Sequence, residues 1–390
     1  MRNYTVKQGD SLQGIAIKFL YRSALAYQIK QANNLPDNNV YAGQSLLIPE
    51  VEKTETQEYI GLKIVIDGTE LTQTPPVVIH TAINTIARGA SFEGPIEQLD
   101  FIKPYQFNKV EIYFDNAIVL NGYISKVMPG ILESKTKSVE IHGNGQILAQ
   151  VNYPVSAYPR TFYKKSLKQL FTKFCDFFNL TFTIDSDATD LANKKFSKVE
   201  ISPPEKISDF LIELANQKGL IVYGDANGGI VLKNEYVESE NILTLENYPG
   251  TATFNTESIY SDYTCLKNYS SSGSTQVARD KIALNTFRPK VFQIGRMQDD
   301  SMVAMIKKEM KKDLMNSFNL SIDLPYVTDI EQELIKINKQ LYFKNEDMDI
   351  LGTDFLIKSA KYNFLKSGQQ MSLDLVPVSF LKGEFETFWK

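Results

Sequence analysis

Apolar and polar residues recur along this chain with a period that changes several times. Tyr4-Thr5-Val6 alternates as a short strand that stops at Gly9-Asp10. Ser11 is placed to N-cap a helix in which Leu12, Ile15, Ala16 and Phe19 lie on one face. A second helix is predicted from near Ser23, with Leu25, Ile29 and Ala32 inward, broken at Asn33-Asn34-Leu35-Pro36. After Tyr41-Ala42-Gly43-Gln44 comes the apolar strand Ser45-Leu46-Leu47-Ile48, closed by Pro49. Strand, helix, helix, strand within residues 1–50 makes a separate unit. Residues 51–60 continue a polar, charged, aperiodic stretch that reads as a linker.

From Leu62 the period becomes two. Leu62 to Ile66 runs into Asp67-Gly68, a two-residue hairpin signal. Pro75-Pro76 precedes Val77 to Ile83. Then come Val110 to Phe114, the turn Asp115-Asn116, Ala117 to Leu120, a second turn at Asn121-Gly122, and Tyr123 to Val127. Lys137 to Ile141 alternates once more. Short strands and tight turns over residues 61–153 predict a small barrel or sandwich.

Residues 154–240 change to a mixed α/β texture. Leu167, Leu170, Phe171, Phe174 and Phe178 make one helix face. Ser202-Pro203-Pro204-Glu205 has the form of a capping box ahead of a helix burying Ile207, Phe210, Leu211 and Leu214. Leu220 to Tyr223 and Ile230 to Leu232 flank the turn at 225–229. Residues 241–390 return to strands, at Asp354 to Phe364 and Met371 to Val376, around one long helix. Asp299-Asp300-Ser301 is placed to cap that helix, and Val303, Ile306, Met310 and Leu314 are expected to share a face.

Composition narrows the classes. A chain of 390 residues is expected to hold more than one domain. Tyr and Phe number 20 and 23, which favours strands over disorder. A net charge of −4 is too small to suggest a broad phosphate-binding surface. Cys175 and Cys265 make no disulfide framework and read as reduced core residues. The sequence offers neither a signal peptide nor an apolar run long enough to span a bilayer.

Candidate chemistry is thin. His80 and His142 lie far apart in sequence and lack further partners for a metal, so no metal or cofactor is expected. Asp299/Asp300 reads as a helix start, and Glu331/Glu333 are spaced wrongly to share a helix face. His142-Gly143-Asn144-Gly145-Gln146 follows a β pattern without a P-loop lysine and reads as a turn. Lys307, Lys308, Lys311 and Lys312 read as the solvated face of the long helix, with DNA in a channel as the alternative. No catalytic residue is assigned.

Three segments, "YTVKQGDSLQGIA", "QANNL" and "VYAGQSLLIP", resemble the LysM family signature in order and spacing. The resemblance implies a glycan- or partner-binding groove between Gly9, Asp10, Ser11 and Leu12 on one side and Asn34, Leu35 and Pro36 on the other. The competing reading is that these residues only turn the chain.

Residues 61–382 resemble the baseplate hubs of contractile phage tails, the late-control D and Mu-like hub family. The resemblance rests on "KVEIYFDNAIVLNGYISKV", "ISDFLIELANQKGLIVYGDANGGIVL", "RPKVFQ" with its following helix, and "MSLDLVPVSFL". The single tryptophan, Trp389, departs from the family pattern. The implied fold is mainly β with α+β parts: LysM (βααβ), then two tail-tube-like β-barrel domains with an intervening α/β domain. The implied function is a non-enzymatic homotrimeric ring matching a six-fold tail tube to a three-fold spike. Its partners would be spike, tube and baseplate wedge proteins, with peptidoglycan a further candidate for the LysM and DNA only passing cargo. Its place would be the virion tail baseplate, assembled in the host bacterial cytoplasm. The alternatives are a LysM-anchored peptidoglycan hydrolase and the hub-like part of a secretion-system spike.

Overall fold

A computed structural model describes residues 2–7, 10, 12–20, 26–35, 40–49, 61–130, 135–153, 159–202, 204–235, 241–266, 277–279, 288–293, 302–328, 334–365 and 368–381. The N-terminal unit holds β1 (Arg2–Thr5), α1 (Leu12–Leu20), α2 (Ala26–Ala32) and β2 (Ser45–Ile48). β1 and β2 pair antiparallel, Arg2 opposite Ile48. Leu12, Ile15, Ala16, Ile29, Leu46 and Ile48 form its core, the residues whose spacing predicts the helix faces and the closing strand. The predicted cap Ser11 and helix start near Ser23 lie outside the described residues.

The next part holds β3 (Leu62–Ile66), β4 (Thr69–Glu70), β5 (Val77–Ala82), β6 (Gly89–Pro95), β7 (Lys109–Phe114), β8 (Ala117–Pro129), β9 (Thr136–Gly143) and α3 (Ile147–Gln150). Asp67-Gly68 and Asp115-Asn116 turn their hairpins with both residues at positive φ, the conformation such two-residue turns require. Asn121-Gly122 does not turn. β8 runs straight through it, and Gly122 lies opposite Gly143, where a Cβ would sit 2.0 Å from the His142 carbonyl oxygen. The glycine marks close backbone approach inside a strand.

The mixed unit comprises β10 (Thr161–Tyr163), α4 (Leu167–Phe177), β11 (Phe182–Ile184), α5 (Thr189–Asn193), β12 (Lys198–Glu200), α6 (Ile207–Gln217), β13 (Leu220–Gly224) and β14 (Ile230–Asn234). Ser166 and Gln169 form the capping box, at the start of α4, through reciprocal bonds of 3.1 and 3.3 Å. The expected box at Ser202 is a turn instead. Glu205 accepts from Ser202 N, but α6 begins only at Ile207, without a side-chain cap.

The last part holds β15 (Thr244–Glu246), β16 (Gly250–Phe254), β17 (Asp262–Leu266), β18 (Val277–Arg279), β19 (Pro289–Gln293), α7 (Met302–Ser317), β20 (Phe318–Leu324), β21 (Gln340–Asn345), β22 (Ile350–Leu365), β23 (Gly368–Pro377) and α8 (Val378–Leu381). The proposed α7 cap, Asp299-Asp300-Ser301, lies outside the described residues, as does the Glu331/Glu333 pair.

The fold is mainly β, with the LysM-type unit first and the α/β unit between two β-rich parts. Those two parts share one 13-stranded sheet and one core. Phe114 and Phe364 meet across them at 5.1 Å between ring centroids. Among the described residues the pairings leave an open path rather than a closed barrel. β5 pairs with β6 on one edge and with β22 on the other, which carries the sheet from the first part into the second.

Candidate assembly interface

The two β-rich parts repeat one another strand by strand. β8 pairs with β7 along its first half, then bulges between Ile124 and Lys126 and pairs with β9. β22 pairs with β21 along its first half and bulges against β23 between Ile357 and Ser359. Matching the registers sets Lys126 on Ser359, Glu140 on Asp374 and Ser91 on Ser321. Lys126 bridges Glu140 at 3.1 Å, while Ser359 and Ser321 donate to Asp374 at 2.6 and 2.7 Å. Each part thus contributes four adjacent strands, β5-β6-β9-β8 and β16-β20-β23-β22.

These segments join where β5 pairs with the second half of β22, Lys361 opposite His80. The equivalent positions at the far ends have no strand beside them among the described residues. The second half of β8 pairs only with β9, and β16 pairs only with β20. β16, Gly250-Thr251-Ala252-Thr253-Phe254, is exposed and lacks the charges or proline that guard free edges. Phe254 is 49% exposed and Met128, on β8, 37%.

The α/β unit is fixed to both β-rich parts. Gly224 lets backbones meet: a Cβ would lie 2.5 Å from Ala87 Cα. The buried Arg88 guanidinium donates to Gly224 O at 3.2 Å and Val119 O at 2.9 Å. From the other side, Lys308 donates to the Gln217 carbonyl, and Lys311 pairs with Glu235 at 2.5 Å. The lysine run is therefore only partly a solvated face. Lys307 and Lys312 are exposed, whereas Lys308 and Lys311 pin α7 to the ends of α6 and β14. Sequence spacing could not reveal this, because both acceptors belong to distant elements.

In the LysM-type unit the structure places four of the seven candidate residues. The Asp10 carboxylate accepts from Tyr4 OH at 2.7 Å and Lys7 N at 2.8 Å, holding the first loop closed. Partial burial and this bond push the Tyr4 phenol up to about 12. Leu12 is fully buried in the core. Asn34 is exposed at φ 48°, and Leu35 packs partly on the core. Gly9, Ser11 and Pro36 lie outside the described residues. Sequence reading missed Asn33, whose amide donates to Ile29 O and Leu47 O, both at 2.7 Å, and accepts from Leu47 N at 2.6 Å.

Both cysteines are buried. Burial pushes the Cys175 thiol up to about 12 and raises Cys265. Asn144–Gln146 is a short helical turn. His80 and His142 flank Gly89 on adjacent strands of one sheet face, and partial burial lowers both. Among the described residues no three His, Cys, Asp or Glu side chains group as metal ligands, and no helix is long and apolar enough to cross a membrane.

Comparison with known proteins adds two family matches. Residues 4–49 match the LysM domain, and residues 155–234 match the family described as baseplate hub protein gp44-like, second domain. No curated protein matches the chain. Solved structures share the fold at low identity. The 43 kDa tail protein of prophage MuSo2 from Shewanella oneidensis is 16% identical, with a TM-score of 0.69 over 81% of this chain and 98% of that one. A tail protein from Neisseria meningitidis is 17% identical, with 0.68 over 83% and 98%. An E. coli type VI secretion component, described as similar to the T4 tail proteins gp27 and gp5, is 10% identical, with 0.52 over 84% and 80%. Such identities speak to fold alone. Residues 4–49 are thus similar to LysM domains and residues 155–234 to the second domain of gp44-like baseplate hub proteins, within a fold shared with two solved phage tail proteins.

Proposed function

We propose that this chain is a structural, non-enzymatic hub of a contractile-tail baseplate, in which three copies close a ring between tube and spike. The supporting observation is the internal repeat. β5 occupies the edge of β22 within one chain, and the equivalent edge of β8 is free to take β16 from the next copy. Three such junctions would set six similar four-stranded segments around one axis, matching a six-fold tube above while remaining three-fold for a spike below. Edges exposed in one chain would then be paired in the ring.

In this reading the sheet's polar face lines the channel, DNA is passing cargo, and wedge proteins contact the outside. The parts divide at 1–50, 51–60, 61–153, 154–240 and 241–390. The protein resides in the virion tail after assembly in the host cytoplasm. The LysM domain docks to another baseplate protein or to peptidoglycan through the loops around Gly9 to Leu12 and Asn34 to Pro36.

Light scattering on the purified full chain, alone and with its cognate spike protein, tests the reading. A three-copy mass is expected in at least one condition. A monomer in both, at concentrations that saturate spike binding, overturns it.

A further inference from the structure

Independently of how copies assemble, one cleft has a lining chemistry that the hub reading does not use. It measures about 540 Å³ and lies between the start of β8, the turn before α3, the end of α4 and the β13–β14 hairpin. This volume lies within the range of small-molecule sites, ~300–1,000 Å³. Three aromatic residues line it: Phe107 and Tyr123, 6.0 Å between ring centroids, and Phe178. Asn121, Asn144 and Asn227 line it too.

Two features point to one class of ligand. Among the described residues no lining residue is charged, so neither a phosphate nor an acidic or basic peptide finds a counter-charge there. The asparagine carboxamides each donate and accept, which suits hydroxyl groups that do the same. A hydrocarbon would leave all of these amides unpaired.

The cleft is also built. At Gly228, φ 79°, a Cβ would fall 2.4 Å from Asn121 O and 2.7 Å from Asn144 Nδ2, so only glycine lets the hairpin tip sit against both. Tyr123 OH donates to Gln150 Oε1 at 3.1 Å and fixes the ring at the rim.

We infer that this cleft binds a short neutral oligosaccharide, with sugar rings against the aromatic walls and hydroxyls on the carboxamides. The occupant differs in place from anything the LysM loops would hold.

Saturation-transfer NMR on the full chain, with cellotetraose, maltotetraose and chitotetraose as separate ligands, tests this. At least one sugar should bind with an affinity that salt leaves unchanged. Asn121→Ala and the exposed-site variant Gln150→Ala should each weaken it about tenfold, with melting temperatures unchanged, while Asp10→Ala in the LysM loop leaves it intact. The inference is overturned if no sugar binds. It is equally overturned if binding survives both cleft variants but disappears in Asp10→Ala. The same holds if the Asn121 and Asn144 amides gain protection only on self-association, which would make a second copy the occupant. Should Asn121→Ala fail to fold, the Gln150→Ala arm alone decides between these outcomes.

Discussion

At the scale of single residues, side chains far apart in sequence do work that no local pattern announces. Asn33, just after α2, ties the LysM-type unit together with two bonds to Leu47 on β2 and one back to Ile29 O. In the sequence it is one of several turn-forming residues. Asn33→Ala would strand the Leu47 N–H and the Leu47 carbonyl, at about 1–3 kcal/mol, while Ile29 O keeps the backbone N–H of residue 33. A lowered thermal transition of the LysM domain, followed by NMR of its resolved amides, is the expected readout. His80 and His142 look unrelated in sequence, but the sheet seats them on either side of Gly89, with Lys361 opposite His80. Partial burial lowers both, and the neighbouring His142 and Lys361 lower His80 further, whereas Glu140 opposes the shift at His142. The folded chain therefore binds these protons less readily than the unfolded one. Stability is complete above the ordinary histidine value, ~6.5, and is lost as pH falls through it toward the lower folded values. Melting temperatures of a His80→Gln/His142→Gln variant should fall less than those of the parent between about pH 7 and pH 5.

At the scale of elements, periodicity located α4, α6, α7 and most long strands, because each buries one face against a large core. It failed where a local signal has two physical meanings. Asn121-Gly122 carries the composition of a hairpin turn, yet the glycine is there because β8 and β9 approach too closely for a side chain. Ser202 and Glu205 have capping-box spacing but bond each other in a turn before the helix, while Ser166 and Gln169 supply a true box. The short strands β6 and β16, rich in Gly, Ala, Ser and Thr, show too little apolar contrast to be read at all. If Gly122 is a packing glycine, Gly122→Ala should cost about 3 kcal/mol or more, since the obstructing atom is backbone and cannot swing aside. A turn glycine at ordinary geometry would cost far less. Urea midpoints of this variant and of Gly43→Ala, at a turn with open space where the positive φ of 86° alone costs about 1–2 kcal/mol, separate the cases.

At the scale of the whole molecule, the repeat of four strands per part was invisible in sequence because equivalent positions hold different residues: Lys126 against Ser359, Glu140 against Asp374. Only hydrogen-bond register reveals it, and the register also fixes how copies would meet. Within the chain, Lys361 lies opposite His80. The repeat sets Met128 on Lys361 and Thr253 on His80, so Met128 of one copy should face Thr253 of the next, with Val127 facing Phe254. This pairing would cover Phe254 and Met128, two of the exposed large apolar side chains. Directly opposed residues bring Cβ atoms within about 4.5–5.5 Å, close enough for a disulfide after a small adjustment. Under mild oxidation, a Met128→Cys/Thr253→Cys chain should therefore give covalent dimers and trimers on non-reducing gels, whereas Met128→Cys/Gly250→Cys should not. A three-copy mass with neither pair crosslinked would refute this register while leaving the ring standing. A monomeric mass would refute both.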